Sequence, residues 1–396
     1  MDLPGATALA SMPPAMADTA SPGSGATREL HPLLRAVLVV GLLYLFLAAV
    51  KLLEGGIKGF GSDFTDALFE GVSNPLAGLA VGILGTVLVQ SSSVSTTTIV
   101  GLVASGLLDV QSAVPMVMGA NIGTSVTNTL VALTHMRRST EFRLAFTAAT
   151  MHDFFNLIAV AILLPVELLT KVLSRTAEAI TELLSGGSVG GSFNSPIKGA
   201  VKWLASQIEG LIEPIVGDGN VFAAALLVVG IGLIFLTLAL ITKNMRLLVA
   251  RRIEQSLNAA LAKSGVIGIV VGMIVTVAVQ SSSITTSILV PLVASGILVV
   301  RNAYPITLGA NIGTTITALL AALGAGEVDG LTIAFVHTLF NVAGILVLYP
   351  FPKVRYIPVR AAERLADVAV ERRWMALTYT GTVFLLVPII LIALLR

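Results

Sequence analysis

Two stretches of this chain, Gly71–Leu108 and Ser264–Val300, contain no charged residue, and each holds the string Gln-Ser-Ser-Ser near its middle, at Gln90–Ser93 and Gln280–Ser283. A helix needs about 20 residues to cross a hydrocarbon core. Each stretch is nearly twice that, which predicts a hairpin or broken helix with the tetrad at its tip or break. Serine favours helix N-caps, so half-helices are expected over Ser91–Thr98 and Ser281–Ser287. Single apolar runs predict further spans at Ala36–Leu53, Val114–Thr134, Phe142–Pro165, Phe222–Thr242, Tyr304–Leu323, Leu331–Pro350 and Trp374–Leu395.

The two stretches are copies. Sliding the chain by 190 residues lays Gly82–Thr134 over Gly272–Gly324 with 29 of 53 positions identical. The identities include the tetrads, Leu102–Gly106 with Leu292–Gly296, Pro115 with Pro305, and Gly119–Thr124 with Gly309–Thr314. After a short loop deletion, His152 and Asn156 match His337 and Asn341. Lysine and arginine clusters at Lys243–Lys263 and Lys353–Arg373 set the orientation by the positive-inside rule. On that path the first hairpin enters from outside and the second from inside. The expected fold is an all-α polytopic membrane protein of two inverted-topology repeats, each with a re-entrant or broken-helix hairpin plus spanning helices.

The expected organisation is a disordered tail at 1–35, the first helix and repeat 1 at 36–165, and an extracellular amphipathic linker at 166–221. A helix and repeat 2 follow at 222–350, then a cytoplasmic loop and C-terminal helix at 351–396. The tail is rich in Pro, Ala, Gly and Ser and lacks the apolar core of a signal peptide. In the linker, Ile197, Val201, Leu204, Ile208, Leu211 and Ile215 recur at helical spacing.

Composition agrees. Charged residues make up 12% of the chain and hydrophobic ones 55%, against about 25% charged in soluble domains. There is no cysteine, so disulfide and thiol chemistry are excluded. A net charge of +2 gives no support to nucleic-acid binding. The setting is the plasma membrane, in multi-pass form, the inner membrane in a bacterium.

Inverted repeats with helices broken near the bilayer midplane mark secondary transporters. Two half-helix N-termini offer free N–H groups and positive dipole ends, and the serine hydroxyls and glutamine amides add donors. Gln90, Ser91, Ser92, Ser93, Gln280, Ser281, Ser282 and Ser283 are thus candidates to hold a compact oxyanion without lysine or arginine. Sodium takes neutral oxygens, and Asn121, Thr124 and Thr127, with Asn311, Thr314 and Thr317, fall on one face of each following span. Importing a divalent anion against about −100 mV costs roughly 4.6 kcal/mol, which two Na⁺ ions cancel. Asp153 is an acid inside a predicted span, with Thr338 as its counterpart. It could take a cation or proton, or pair with His152. His152 and His337 are read as hydrogen-bonding across the core. A serine hydrolase is disfavoured, since no nucleophile elbow is present and the acid is not duplicated.

The paired tetrads, the paired Asn-Ile-Gly-Thr motifs, the run Gly119–Asn128 and the sequence His152-Asp153 with Asn156 resemble the sodium–phosphate cotransporter family. The resemblance covers about 75–165 and 223–350. It implies a symporter importing inorganic phosphate with Na⁺, not an enzyme, with no cofactor beyond the transported ion. It implies phosphate at both tetrads and sodium at Gln280, Ser281, Thr314 and Thr317. A homodimer is kept as a candidate assembly. Alternatives are a Na⁺-coupled carrier of another oxyanion and a non-transporting phosphate sensor. The chain departs from vertebrate members in its short, cysteine-free external loop, in Ala120 and Ala310 where serine is expected in some relatives, and in Arg137 and Arg138 where they tend toward acid.

Overall fold

The structure is a computed structural model that describes residues 31–61, 73–185, 196–261 and 265–395. The expected tail lies almost wholly outside the described residues. Every regular element among them is helical. The first helix, α1 (Pro32–Gly59), opens on His31, whose Nδ1 accepts from Leu33 N at 3.3 Å. The first repeat follows as α2 (Pro75–Val89), α3 (Ser92–Ala104), α4 (Val110–Thr124), α5 (Val126–Leu133) and α6 (Ser139–Thr170). Asn74 and Asp109 cap α2 and α4, each side chain accepting a first-turn amide at 2.9 Å.

The connecting helices are α7 (Val172–Leu184) and α8 (Pro196–Val216). A long α9 (Asn220–Leu261) leads to the second repeat, α10 (Gly265–Val279), α11 (Ser282–Ala294), α12 (Val300–Ala325) and α13 (Val328–Leu348). An amphipathic α14 (Ile357–Glu371) and the C-terminal α15 (Trp374–Leu395) complete the chain, α15 turning π-helical at Thr382–Leu386. Among the described residues, six helices are long and apolar enough to cross a membrane: α1, α6, α12, α13, α15 and the Asn220–Ile241 part of α9.

The two repeats are built alike and interlock. Within each, the helix before the tetrad packs along the second helix after it, α2 on α4 and α10 on α12. Between them, α3 packs on α12 and α13, and α11 packs on α5 and α6. Each half-helix thus lodges in the opposite repeat. The crossings within the repeats depend on glycine. A Cβ at Gly119 would stand 2.1 Å from Leu79 O, and one at Gly309 1.9 Å from Ile269 O, so the backbones touch directly.

Two sequence expectations need correction. The span expected at Val114–Thr134 is not one helix: it starts at Val110 and breaks at Ser125 into α4 and α5. Ser125 Oγ donates to Ile122 O at 2.7 Å, but Thr315 makes the same bond in the unbroken α12. What differs is the setting, since α5 carries Asn128, which reaches α11, and Ser125 faces Asp153. The span expected to end at Pro165 runs on to Thr170, so Glu167 becomes a second buried acid of α6. Its carboxylate takes the amides of Leu173 and Ser174 at 2.7 and 3.1 Å and the Ser174 hydroxyl, capping α7. Glu54 of α1 is also buried and pairs with Lys51 and Lys58 at 2.7 and 3.1 Å.

Gly119→Ala and Gly309→Ala should each destabilise the protein by about 1–3 kcal/mol through overpacking. Gly85→Ala, where a Cβ meets nothing within 4 Å, should be neutral or slightly stabilising. Thermal unfolding of the purified protein distinguishes them, and equal midpoints would contradict the close-contact account.

Candidate substrate site at two broken helices

Each tetrad sits at the junction of two helices. In the first repeat Gln90 turns left-handed at φ 56° and Ser91 is extended at φ −151° before α3 begins. In the second Gln280 has φ 56° and Ser281 φ −157° before α11. A positive φ is uncommon for a residue with a side chain, and here the side chain accounts for it. The glutamine amide folds back to donate to Val87 O at 2.6 Å, and its copy to Val277 O at 2.7 Å. Those carbonyls belong to the last turn of the ending helix, which lacks intrahelical donors. The glutamine Oε1 in turn accepts the Thr127 hydroxyl at 3.2 Å, and in the second repeat Thr317 at 2.9 Å. The serine then caps the next helix, Ser91 Oγ accepting from Val94 N and Ser281 Oγ from Ile284 N, both at 3.3 Å.

Other donors at each break stay free. The first helical bonds run from Ser95 N to Ser91 O and from Thr285 N to Ser281 O. The amides of Ser92, Ser93, Ser282 and Ser283 precede those bonds and have no intrahelical acceptor. Their four hydroxyls also make no hydrogen bond to the described residues. Ser92, Ser93 and Ser282 are nonetheless buried. None of these hydroxyl oxygens is among the fully enclosed unpartnered atoms, so they stay open to a ligand, and helix N-termini favour anions.

One turn of α5 ties the halves together. Thr127 holds Gln90, while the adjacent Asn128 accepts from Thr286 and Ser287 of α11 at 2.9 and 3.1 Å through its Oδ1. The second repeat has Ala318 in place of Asn128. Correspondingly, the buried hydroxyl of Thr97, which matches Ser287, has no partner. Asn128 lies in the repeated motif but had not been singled out; its mismatch with Ala318 was the available signal.

The polar residues after the tetrads are arranged less symmetrically. Thr124 and Thr314 donate to Ala120 O and Ala310 O at 2.9 and 3.0 Å. Asn311 makes a cross-repeat network, its Oδ1 2.6 Å from His152 Nε2 and its Nδ2 donating to Asn156 Oδ1 at 2.9 Å. Asn156 Nδ2 continues it to Asn121 O at 2.9 Å. In the other half the Asn121 amide turns back to Val117 O, and Asn341 to His337 O. The expected cross-core bond is therefore made by His152. His337 makes none among the described residues, and its Nδ1 is unpartnered.

Asp153 does not pair with His152. Its Oδ2 accepts from Tyr379 of α15 at 3.2 Å, while Oδ1 has no hydrogen-bond partner among the described residues. Tyr379 was invisible to the sequence reading, because no motif or repeat marks it.

Residues 45–195 and 233–357 match the family described as Na⁺/Pi-cotransporter. The chain belongs to the Na⁺/Pi-cotransporter family. Both tetrads fall inside the matched ranges, as do Asn121, Asp153, Asn311 and Thr317, whereas α15 and all of α14 after Ile357 lie beyond them. The chain is 35% identical to sodium-dependent phosphate transport protein 2A of Rattus norvegicus, covering 90% of this chain and 67% of that one. It is 33% identical to protein 2B of Homo sapiens, covering 90% and 64%, and 34% identical to protein 2A of Oryctolagus cuniculus, covering 94% and 70%. The chain thus spans about two thirds of the length of these relatives. No solved structure was found to match.

Within this family member, Asn311→Ala should lower the melting temperature more than Asn121→Ala, although the positions are repeat equivalents. The first removes two buried cross-helix bonds and the second one bond within a helix. At about 1–3 kcal/mol for each buried group left unmatched, the gap is measurable by thermal unfolding. Equal losses would contradict the asymmetric network.

Proposed function

We propose that this protein is a symporter that carries inorganic phosphate inward across the plasma membrane together with Na⁺. The observation that carries the reading is the pair of helix breaks whose serine hydroxyls and first-turn amides lack acceptors among the described residues. A tetrahedral oxyanion accepts hydrogen bonds on all sides and suits both sets. Gln90, Ser91, Ser92 and Ser93 serve it from one repeat and Gln280, Ser281, Ser282 and Ser283 from the other. The names of the relatives, sodium-dependent phosphate transport proteins, support the same substrate pair.

Sodium is assigned to the oxygens beside the breaks: Gln280, Ser281, Asn311, Thr314 and Thr317, with Asn121, Thr124 and Thr127 as first-repeat equivalents. The threonines support this chemically. Each gives its proton to a carbonyl or to a glutamine Oε1, which leaves hydroxyl lone pairs for a cation. Asp153 supplies a formal negative charge for ion coupling. A homodimer is the assembly proposed for the chain.

Radiolabelled phosphate uptake into proteoliposomes tests the reading. Uptake should require an inward Na⁺ gradient and resist excess sulfate. Equal uptake in Na⁺ and choline overturns the symporter. Full competition by sulfate makes the cargo a broader oxyanion class. Ser92→Ala and Ser282→Ala should each weaken phosphate by roughly 1.5–3 kcal/mol, a ten- to hundredfold loss for a bond to a charged acceptor. Normal transport by both would place the anion elsewhere.

A further inference from the structure

Asp153 is fully buried in α6, and among the described residues its carboxylate takes one side-chain hydrogen bond, at Oδ2, and none at Oδ1. The hydroxyls of Ser125 and Thr129 border it. Both have spent their protons elsewhere, Ser125 on Ile122 O at 2.7 Å and Thr129 on Ser125 O at 3.3 Å. Neighbouring His152 is engaged with Asn311. The hydrogen bond to the carboxylate comes instead from another part of the chain, the Tyr379 hydroxyl at 3.2 Å.

Tyr379 is held for this contact. Its ring stands edge-on to Phe146 at 6.4 Å and to Phe384 at 6.5 Å, and lies 6.0 Å from Phe154. Phe384 sits in the π-helical segment Thr382–Leu386, which begins three residues after Tyr379. Segments of this kind are rare and gather at functional sites. The helix bearing Tyr379 lies beyond residue 357, outside the ranges that match the family.

From this arrangement we infer that Tyr379 is a positioning residue for ion coupling, a latch that holds the Asp153 carboxylate when no cation is bound and is displaced when one binds. The inference rests on the coupling role proposed for Asp153. A donor on a carboxylate stabilises the ion-free state, so the latch weakens Na⁺ binding and speeds release. When the phenol swings away, Asp153 and the Ser125 and Thr129 oxygens present a set made only of acceptors, the chemistry a hard cation takes. The second repeat has no such device, because Thr338 replaces Asp153.

Tyr379→Phe removes the hydroxyl and keeps the ring, which makes it the informative variant. Initial rates of phosphate uptake are measured against external Na⁺ in proteoliposomes, for the unaltered protein, Tyr379→Phe, Asp153→Asn and the double variant. The half-saturating Na⁺ concentration should fall three- to tenfold in Tyr379→Phe, with a lower maximal rate. In the Asp153→Asn background the same change should have no effect, as a double-mutant cycle requires of a pair acting together. An unchanged or raised half-saturation in Tyr379→Phe overturns the latch, and so does an equal shift in both backgrounds. If Asp153→Asn itself leaves Na⁺ activation unaltered, the coupling role of Asp153 falls and the latch with it. If Asp153→Asn alters activation and Tyr379→Phe does not, only the latch falls. A second readout needs no transport: the Na⁺ concentration giving half of the ion's thermal stabilisation should shift downward by the same factor in Tyr379→Phe.

Discussion

A helix that ends inside a hydrophobic chain strands backbone groups that lipid cannot satisfy, and this constraint organises the structure. At Gln90 and Gln280 the chain meets it from both sides of the break. The glutamine amide covers a carbonyl of the ending helix, and the serine that follows covers an amide of the starting one. The sealing is incomplete: two amides and two serine hydroxyls at each junction have no acceptor among the described residues. A fold can keep such a cost where a ligand removes it, and for unmatched donors at helix N-termini the natural ligand is an anion.

The rest of the architecture keeps these junctions in place. Direct backbone contact at Gly119 and Gly309 fixes each broken helix against the helix that follows. The exchange of α3 and α11 between repeats makes each junction depend on the opposite half. Symmetry then stops short. Asn128 bridges to α11 without a counterpart, Asn311 gathers His152 and Asn156 while Asn121 bonds within its own helix, and only the first repeat carries a buried aspartate. A two-fold scaffold can hold one oxyanion evenly, whereas unequal surroundings let ion coupling reside more in one half than in the other.

Much of this was legible in the sequence because it rests on local rules. The tetrads, their serine caps and the breaks followed from span length and N-cap preference, and both junctions appear where the uncharged stretches placed them. The bonds of Thr127 and Thr317 to the glutamines lie outside that reading, and in the first repeat the helix breaks between Thr124 and Thr127. Features set by contacts between distant segments were not legible. The break at Ser125 has no local signature, since Thr315 makes the same back-bond in a continuous helix. The partner of Asp153 lies 226 positions away on a helix outside the repeats. Glu167 falls in the expected linker at 166–221, yet the helix absorbs Pro165 and continues to Thr170.

The central claim is that two equivalent helix breaks make one anion site. The most direct measurement is the stoichiometry of radiolabelled phosphate bound at saturation to the purified protein in Na⁺. The account predicts one phosphate per chain, with Ser92→Ala and Ser282→Ala each lowering the affinity of that one site. Two phosphates per chain, or a loss of half the capacity in each variant, would contradict it.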